Sequence, residues 1–193
     1  MHEMKGAAVL LDRDGTINVD TGYVSDPAGI SLEQGVVEGL RLLSAAGLPL
    51  IILSNQSGVG RGYFELCDVV DVNHAIAEQL AAHDIDVAAW YICPHAPTDH
   101  CDCRKPLPGL ALRAARDFSL DLHRCWMIGD KRSDLQLGDS VGASSILLLT
   151  GEGARHSDWA KATGKPICAT MVEAAKHILA GSSGSASQLQ AAR

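Results

Sequence analysis

The sequence predicts a single α/β domain built on a doubly wound, Rossmann-like parallel sheet. Short apolar runs rich in Val, Ile and Leu alternate with longer helical patterns along the chain. Polar motifs with acidic, hydroxyl or thiol side chains follow the ends of those apolar runs, where an open parallel sheet binds its ligand. At 193 residues and 47% hydrophobic, the chain is long enough for one well-buried core.

Five strands are predicted where short β-rich apolar runs stand between turn signals. They cover residues 7–11, 49–53, 88–92, 125–128 and 145–149. Five helices are predicted where apolar residues recur with helical spacing. They cover residues 36–46, 66–82, 109–118, 133–141 and 171–179. We expect Gly47 to end the first helix in the left-handed conformation.

Composition limits the domain and its partners. Residues 1–180 form the predicted domain, and residues 181–193, rich in Ser, Gly, Gln and Ala, are predicted to be a disordered tail. The net charge is −7 and no run of Lys or Arg could follow a phosphate backbone, so nucleic acid is not expected as a partner. No apolar run approaches the roughly 20 residues that cross a bilayer, and the first residues do not resemble a secretory signal. We expect a cytoplasmic monomer without a membrane partner.

Two aspartates, Asp12 and Asp14, follow the first predicted strand in the segment VLLDRDGTIN. In an extended chain, residues i and i+2 face the same way. Two carboxylates on one side repel each other unless a cation joins them, which predicts a Mg²⁺ site with oxygen ligands. One carboxylate could then attack phosphorus while the other transfers the leaving-group proton. The alternative is an Asp-rich turn at Asp14 and Gly15.

A second acidic cluster, GDKRSD, follows the fourth predicted strand and contains Asp130 and Asp134. Acidic residues from two strand ends could converge on one ion. The alternative is capping of the following helix, which fits Asp134 better than Asp130.

Two further segments could handle phosphate. The turn SNQSG at residues 54–58 offers a hydroxyl and backbone N–H groups to phosphate oxygens. Arg104 and Lys105 offer two adjacent cations that could neutralise charge on a transferring phosphoryl group. Taken alone, the turn SNQSG would be an ordinary polar loop, and Arg104 and Lys105 would be ordinary solvated surface residues.

Three cysteines and one histidine cluster within eleven positions and supply a complete tetrahedral set for structural Zn²⁺. They are Cys93, His95, Cys101 and Cys103. The alternatives are a disulfide or free thiols, and the local spacing together with the expected cytosolic setting favours metal over both. His100 could compete as a ligand, although a solvated loop position suits it better. A closed set of four ligands leaves no place for water, so zinc is expected to fold the loop that presents Arg104 and Lys105.

Read in order, DRDGT, the Ser of LSNQSG, the Lys of CRKP and the acidic GDKRSD resemble the four motifs of the haloacid dehalogenase superfamily of phosphotransferases. More narrowly, DRDGTINVDTGYV, SNQSGVGRG and CPHAPTDHCDCRKPLPG resemble its heptose-bisphosphate phosphatases, over about residues 7–179. The resemblance implies a Rossmann-like fold with a zinc-stapled loop and no large cap domain. It also implies Mg²⁺-dependent removal of the 7-phosphate of D-glycero-D-manno-heptose 1,7-bisphosphate, a small phosphorylated sugar used in lipopolysaccharide core precursors.

The same resemblance implies roles for individual residues. Asp12 would be the nucleophile and Asp14 the general acid and base. Ser54 and Lys105 would steady the phosphoryl group. Mg²⁺ would be held by Asp12, the backbone carbonyl of Asp14 and Asp130. Substrate contacts are implied for Arg13, Asp20, Thr21, Gly22, Tyr23, Asn55, Gln56, Ser57, Arg104 and Lys131.

Two other functions are weighed against this one. Histidinol-phosphate phosphatases share the zinc loop and the two-aspartate motif, but NVDTGYV at residues 18–24 and Ser57 resemble the heptose group more closely. A signalling receiver is also a doubly wound domain phosphorylated on aspartate. It needs a long-lived acyl phosphate, which an acid and base such as Asp14 would hydrolyse. The five residues between His95 and Cys101 form a short loop, and the sequence leaves the sugar anomer open.

Overall fold

Six parallel strands form the centre of the protein in the computed structural model, which describes residues 6–190, with side chains up to residue 181. They are β1 (Val9–Leu11), β2 (Leu50–Asn55), β3 (Ala89–Cys93), β4 (Trp126–Gly129), β5 (Ser144–Leu148) and β6 (Ile167–Cys168). The order across the sheet is β3-β2-β1-β4-β5-β6, and every neighbouring pair is parallel. This order confirms the predicted doubly wound sheet.

Among residues 6–190, seven α-helices lie between or after the strands. They are α1 (Val36–Ala45), α2 (Ser57–Gly60), α3 (Leu66–Ala81), α4 (Gly109–Asp117), α5 (Arg132–Val141), α6 (Gly153–Ala162) and α7 (Met171–Gln190). Short 3₁₀ turns occupy Pro27–Gly29 and Leu122–Arg124. The start of α3 is fixed by Asp68, whose carboxylate accepts the backbone N–H of Glu65 at 2.7 Å. Gly47 follows α1 with φ +75°, as predicted from its position.

Alternating side chains of β1 pack on opposite faces of the sheet. Val9 and Leu11 belong to the apolar core under α1, α3 and α7. Leu10 belongs to the core on the other face, under α4 and α5. The same alternation continues past the end of the strand. Asp12 therefore lies on the side of α4 and α5, and Arg13 lies on the side of α3.

The boundary between β1 and β4 is the point where the strand order reverses, because the chain crosses from β1 to β2 on one side and to β4 on the other. Loops on the two sides diverge there and leave a crevice at the carboxyl ends of the strands. The segment between β1 and α1 holds only the 3₁₀ turn Pro27–Gly29, so the crevice has no large cap over it. Within residues 6–190, no helix has both the length and the apolar character needed to cross a bilayer.

Three features of the structure differ from the sequence prediction. The strand β6 has two residues, too few for a periodic pattern. The helix α6 buries only Gly153 and Ala160, so it carries no apolar stripe that would reveal it. The last helix continues to Gln190, past its predicted end at residue 179, and the disordered tail at residues 181–193 stays a prediction. Extending an existing helix adds a hydrogen bond per residue without a new nucleus, which Ser, Ala and Gln permit. Residues 191–193 of that segment lie outside the described part of the chain.

Candidate active site

An open cavity of about 400 Å³ lies at the carboxyl end of the sheet, in the crevice beside β1 and β4. Most residues predicted to act on substrate line this cavity. The lining consists of Asp12, Asp14, Asp20, Gly22, Tyr23, Asn55, Gln56, Ser57, Gly58, Arg104, Lys105, Lys131, Ser133, Asp134 and Glu152. Parallel strands therefore bring together motifs that are far apart in the sequence.

A buried lysine joins two aspartates at the floor of the cavity. Lys105 Nζ lies 2.7 Å from an oxygen of Asp12 and 2.7 Å from an oxygen of Asp134. The other oxygen of Asp134 accepts the backbone N–H of Lys131 at 3.0 Å, so Asp134 also caps α5. The helix-capping alternative for Asp134 is thus correct but incomplete, because the same side chain holds Lys105.

Asp12, Asp130 and Asp134 form a cluster in which one oxygen of each lies within 4.8 Å of the others. Asp130 is fully buried, and its Oδ2 accepts the backbone N–H of Glu152 at 2.9 Å. Its Oδ1 has no hydrogen-bond partner among the described residues. Gly15, with φ +82°, lets the backbone pass close to this carboxylate, since a Cβ there would collide with it.

The charge balance of this cluster favours a bound cation. Burial and the charge of Asp12 raise the pKa of Asp130 to about 7. Burial and Asp12 also raise the pKa of Asp134 to about 6, although Lys105 opposes the shift. Lys105 contacts two of the three carboxylates, and Lys131, whose Nζ lies 3.9 Å from Asp130, is shared with Asp20, so the cluster keeps an excess of negative charge. Because Asp130 also keeps a buried oxygen without a partner, the cluster fits a hard divalent cation with oxygen ligands.

The carboxylate of Asp14 is not part of this cluster. Its Oδ1 accepts Arg13 Nε at 3.0 Å and Asn18 Nδ2 at 3.0 Å. Its Oδ2 accepts Arg13 at 3.0 Å and Gln56 Nε2 at 2.7 Å. The chain turns at Gly15 directly after Asp14, so the parity of an extended strand no longer applies. The interpretation that the carboxylates of Asp12 and Asp14 share one ion is therefore corrected, and Arg13 supplies the charge that balances Asp14.

Three residues predicted to contact the substrate or its phosphoryl group are absent from the cavity lining, namely Arg13, Thr21 and the buried Ser54. Arg13 has no exposed surface, because the alternation of β1 directs it under α3, where its guanidinium binds Asp14. Burial excludes a direct contact between the Arg13 side chain and a ligand in the open cavity, and a contact through the Arg13 backbone stays a prediction. Thr21 is exposed but does not line the cavity, unlike its neighbours Asp20 and Gly22.

Side chains of the loop after β2 bind the backbone of Lys105 and the hydroxyl of Ser54. Asn55 Nδ2 donates to the carbonyl of Lys105 at 3.1 Å, and the N–H of Lys105 donates to Asn55 Oδ1 at 3.0 Å. Gln56 Nε2 also donates to Ser54 Oγ at 2.8 Å. Asn55 thus fixes the backbone of Lys105, and Gln56 ties Ser54 to Asp14.

An ion pair between Asp20 and Lys131 holds the loop after β1 at the mouth of the cavity. Lys131 Nζ lies 3.0 Å from Asp20, whose other oxygen accepts the N–H of Gly22 at 2.9 Å. Burial would lower the pKa of Lys131, but the charges of Asp12, Asp130 and Asp20 raise it. Tyr23 and Tyr63 meet edge to face on the rim, with ring centroids 4.8 Å apart.

The predicted zinc ligands also converge. Cys93 Sγ lies 3.5 Å from His95 Nδ1 and 3.9 Å from Cys101 Sγ, and Cys103 Sγ lies 3.3 Å from His95 Nδ1. Sulfur at ~2.3 Å and nitrogen at ~2.0 Å from a tetrahedral zinc are roughly 3.5 to 3.8 Å apart. Burial and the neighbouring thiol of Cys103 raise the pKa of Cys93 to about 12. Thiols this close ionise together only with a cation among them, so the donor set fits zinc.

The thiol cluster lies directly beside the cationic end of the cavity. Arg104 follows Cys103 and donates to the backbone carbonyl of His95 at 3.4 Å. The loop that carries the four ligands therefore also fixes a cation on the cavity wall.

A family model described as HAD-hydrolase-like matches residues 102–174. A D-glycero-beta-D-manno-heptose-1,7-bisphosphate 7-phosphatase from Helicobacter pylori strain J99 is 40% identical over 144 residues, which are 74% of this chain and 83% of that protein. The chain belongs to this family of HAD-like hydrolases. A protein of the same name from Yersinia pestis is 36% identical over 166 residues, 79% of this chain and 88% of its own.

Among solved structures, a D,D-heptose 1,7-bisphosphate phosphatase of B. bronchiseptica complexed with magnesium and phosphate resembles this HAD-like hydrolase. The two share a TM-score of 0.84 and 30% identity over 92% of this chain and 99% of that chain. The predicted membership of the haloacid dehalogenase superfamily is confirmed.

Sequence reasoning missed several residues of the site in this HAD-like hydrolase. Glu152 lines the cavity and presents the N–H that binds Asp130, but it precedes α6, which has no helical signal. Ser133 and Gly58 also line the cavity. Both lie inside the quoted motifs GDKRSD and SNQSG, so the motifs themselves could have suggested them.

Proposed function

We propose that this protein is a Mg²⁺-dependent phosphatase that removes the 7-phosphate of D-glycero-β-D-manno-heptose 1,7-bisphosphate through an aspartyl-phosphate on Asp12. The observation that carries the proposal is the joint placement of Asp12, Lys105 and Asp14 in one open cavity. Lys105 lies 2.7 Å from the attacking carboxylate, so the same cation can contact the phosphoryl oxygens during transfer. The names of the relatives support heptose 1,7-bisphosphate as the substrate.

In the first step, an oxygen of Asp12 forms a bond to phosphorus while the bond from phosphorus to the sugar oxygen breaks. Asp14 in its protonated form gives its proton to the departing alkoxide. In the second step, water attacks phosphorus, Asp14 takes the proton of that water, and the bond from phosphorus to Asp12 breaks. Inorganic phosphate leaves, and both aspartates return to their starting states.

Mg²⁺ would be held by Asp12, Asp130 and the backbone carbonyl of Asp14, and when bound it would offset the repulsion between Asp12 and an anionic substrate. Asp134 does not need to touch that ion, because it already holds Lys105 at 2.7 Å. Lys131 and Arg104 both line the cavity, and either could bind the second phosphate of the sugar. An open mouth of this kind suits a small, highly charged substrate.

The substrate is tested by comparing the β and α anomers of heptose 1,7-bisphosphate with histidinol phosphate. We expect kcat/KM for the β anomer to exceed that for histidinol phosphate by at least about a hundredfold, since a missing charged contact alone costs about that much. Continuous phosphate release with Mg²⁺ present, and none in Mg²⁺-free buffer, is the expected pattern. Faster turnover of histidinol phosphate would overturn the choice of sugar, and a single stoichiometric phosphorylation would indicate a receiver.

Zinc is proposed at Cys93, His95, Cys101 and Cys103, in a reducing compartment such as the cytoplasm. We expect the purified protein to hold about one zinc per chain and Cys103→Ser to lose at least about nine-tenths of it. The thermal midpoint of Cys103→Ser should fall, because the loop loses its cross-link. Cys67→Ser is the matched control, since Cys67 is exposed on α3 and away from the cluster. Full zinc content in Cys103→Ser, measured by mass spectrometry of the metal, would contradict the site.

A further inference from the structure

Arg13 is a buried cation that the proposed chemistry does not use. Its side chain has no exposed surface. Two of its nitrogens, Nε and one terminal nitrogen, lie 3.0 Å from the two oxygens of Asp14. This side-by-side contact aligns the plane of the guanidinium with the plane of the carboxylate. The orientation of Asp14 therefore depends on what holds Arg13.

The partner that holds Arg13 is Asn73, in the middle of α3. The other terminal nitrogen of Arg13 donates to Asn73 Oδ1 at 3.0 Å. Asn73 is only 5% exposed and lies on the face of α3 that otherwise buries apolar side chains. Those apolar neighbours are Val69, Val72, Ile76 and Leu80. A polar side chain on that face costs free energy unless it is hydrogen-bonded, and Arg13 supplies the bond.

Fixing both ends of the guanidinium leaves it one orientation. The carboxylate of Asp14 fixes one edge, and Asn73 fixes the nitrogen on the other side. Arg13 has no exposed surface, so water does not compete for these hydrogen bonds. Gln56 and Asn18 also bind Asp14, but each does so through one N–H, which sets a distance and not a plane.

We propose that Asn73 is a positioning residue that acts through Arg13 to hold Asp14 at the angle from which its proton reaches the leaving oxygen. This inference rests on the proposed function, because it requires Asp14 to act as the acid. A displacement of about 1 Å in a group that transfers a proton can cost about a hundredfold in rate. The effect falls on proton transfer, while substrate binding through Lys131 and Arg104 is left intact.

The choice of leaving group separates this role from a general structural one. A sugar alkoxide must be protonated as it leaves, whereas p-nitrophenolate is stable enough to leave without a proton. The ratio kcat/KM includes only the steps up to formation of the aspartyl-phosphate, so the later water attack does not affect it. Loss of acid positioning therefore lowers kcat/KM for the sugar phosphate and spares p-nitrophenyl phosphate.

The test is Asn73→Leu, which keeps the size of the side chain and removes the acceptor for Arg13. We expect kcat/KM for heptose bisphosphate to fall at least about tenfold, with p-nitrophenyl phosphate changed less than about twofold. Asn73→Asp keeps an acceptor at the same place and should restore most of the sugar-phosphate activity. If Asn73→Leu does not fold, Arg13→Lys is the second variant, because it keeps the charge and loses the planar fork.

Ser145→Ala is the matched control for a lost buried hydrogen bond away from the cavity. Ser145 is buried, and its hydroxyl donates to the carbonyl of Leu135 at 3.3 Å. This control should lower the thermal midpoint without changing the ratio of the two activities. Equal losses on both substrates in Asn73→Leu, no loss on either, or no rescue by Asn73→Asp would each overturn the inference. Failure of the proposed function is a different result, namely wild-type protein that releases no phosphate from the sugar.

Discussion

Replacing Asp12 with asparagine is expected to lower kcat for phosphate release by at least about a thousandfold, because the attacking oxygen is lost. Asn has nearly the same shape, and its amide oxygen can still accept the hydrogen bond that Lys105 donates at 2.7 Å. The cavity therefore keeps its form, and the change isolates nucleophilicity. The measurement is the rate of phosphate release from heptose bisphosphate at saturating substrate and Mg²⁺.

Asp86→Asn is the matched control for Asp12→Asn. Asp86 is an exposed aspartate between α3 and β3, outside the cavity lining, so the same chemical change there should leave kcat within about twofold of wild type. Both variants should keep a cooperative thermal transition. Substantial Mg²⁺-dependent turnover by folded Asp12→Asn would rule out the covalent route and leave only direct attack by water.

The positions of the site motifs could be predicted from the sequence because a parallel sheet sets them. The carboxyl ends of neighbouring parallel strands lie at the same edge of the sheet, so Asp12 and Asp130 lie close together once β1 and β4 are recognised as neighbours. The zinc cluster could be predicted for a different reason: its four ligands lie within eleven positions, and local spacing alone brings them together.

The parts that could not be predicted depend on side-chain direction and tertiary context. Arg13 stands between two site aspartates in the sequence, yet strand alternation turns it to the opposite face, where α3 buries it. Asp134 matches a helix cap, and only the fold brings Lys105 within 2.7 Å of it. Glu152 precedes a helix without an apolar stripe, so no periodic signal marks it.

Lys105→Met is expected to lower both activity and stability, because Lys105 is the shared cation of two buried carboxylates. Burial would lower the pKa of Lys105, but the charges of Asp12 and Asp134 raise it, so the ammonium form is the one the fold favours. Methionine keeps the length of the side chain and removes the charge that faces the phosphoryl group. We expect kcat to fall at least about a hundredfold, as for the loss of an oxyanion donor.

The loss of stability in Lys105→Met should depend on pH in a defined direction. Without Lys105, the folded protein holds Asp12 and Asp134 as unpaired buried charges, which costs about 3–5 kcal/mol of unfolding free energy when both are ionised. The pKa of Asp134 is already raised to about 6 with the lysine present, and removing the lysine raises it further. A carboxyl whose pKa is higher in the folded than in the unfolded state destabilises the fold once pH rises above the unfolded value. The deficit should therefore be small at pH 5, where Asp134 takes up a proton, and large at pH 8.

Urea unfolding of wild type and Lys105→Met at both pH values, without Mg²⁺, measures this deficit. Adding Mg²⁺ at pH 8 should restore part of the lost unfolding free energy. A cation between Asp12 and Asp130 would neutralise part of the negative charge that Lys105 neutralises in the wild type. Lys161→Met is the control, since Lys161 is an exposed lysine whose weak ion pair with Asp158 spans 3.7 Å. A deficit that is equal at pH 5 and pH 8 would mean that Lys105 contributes packing alone.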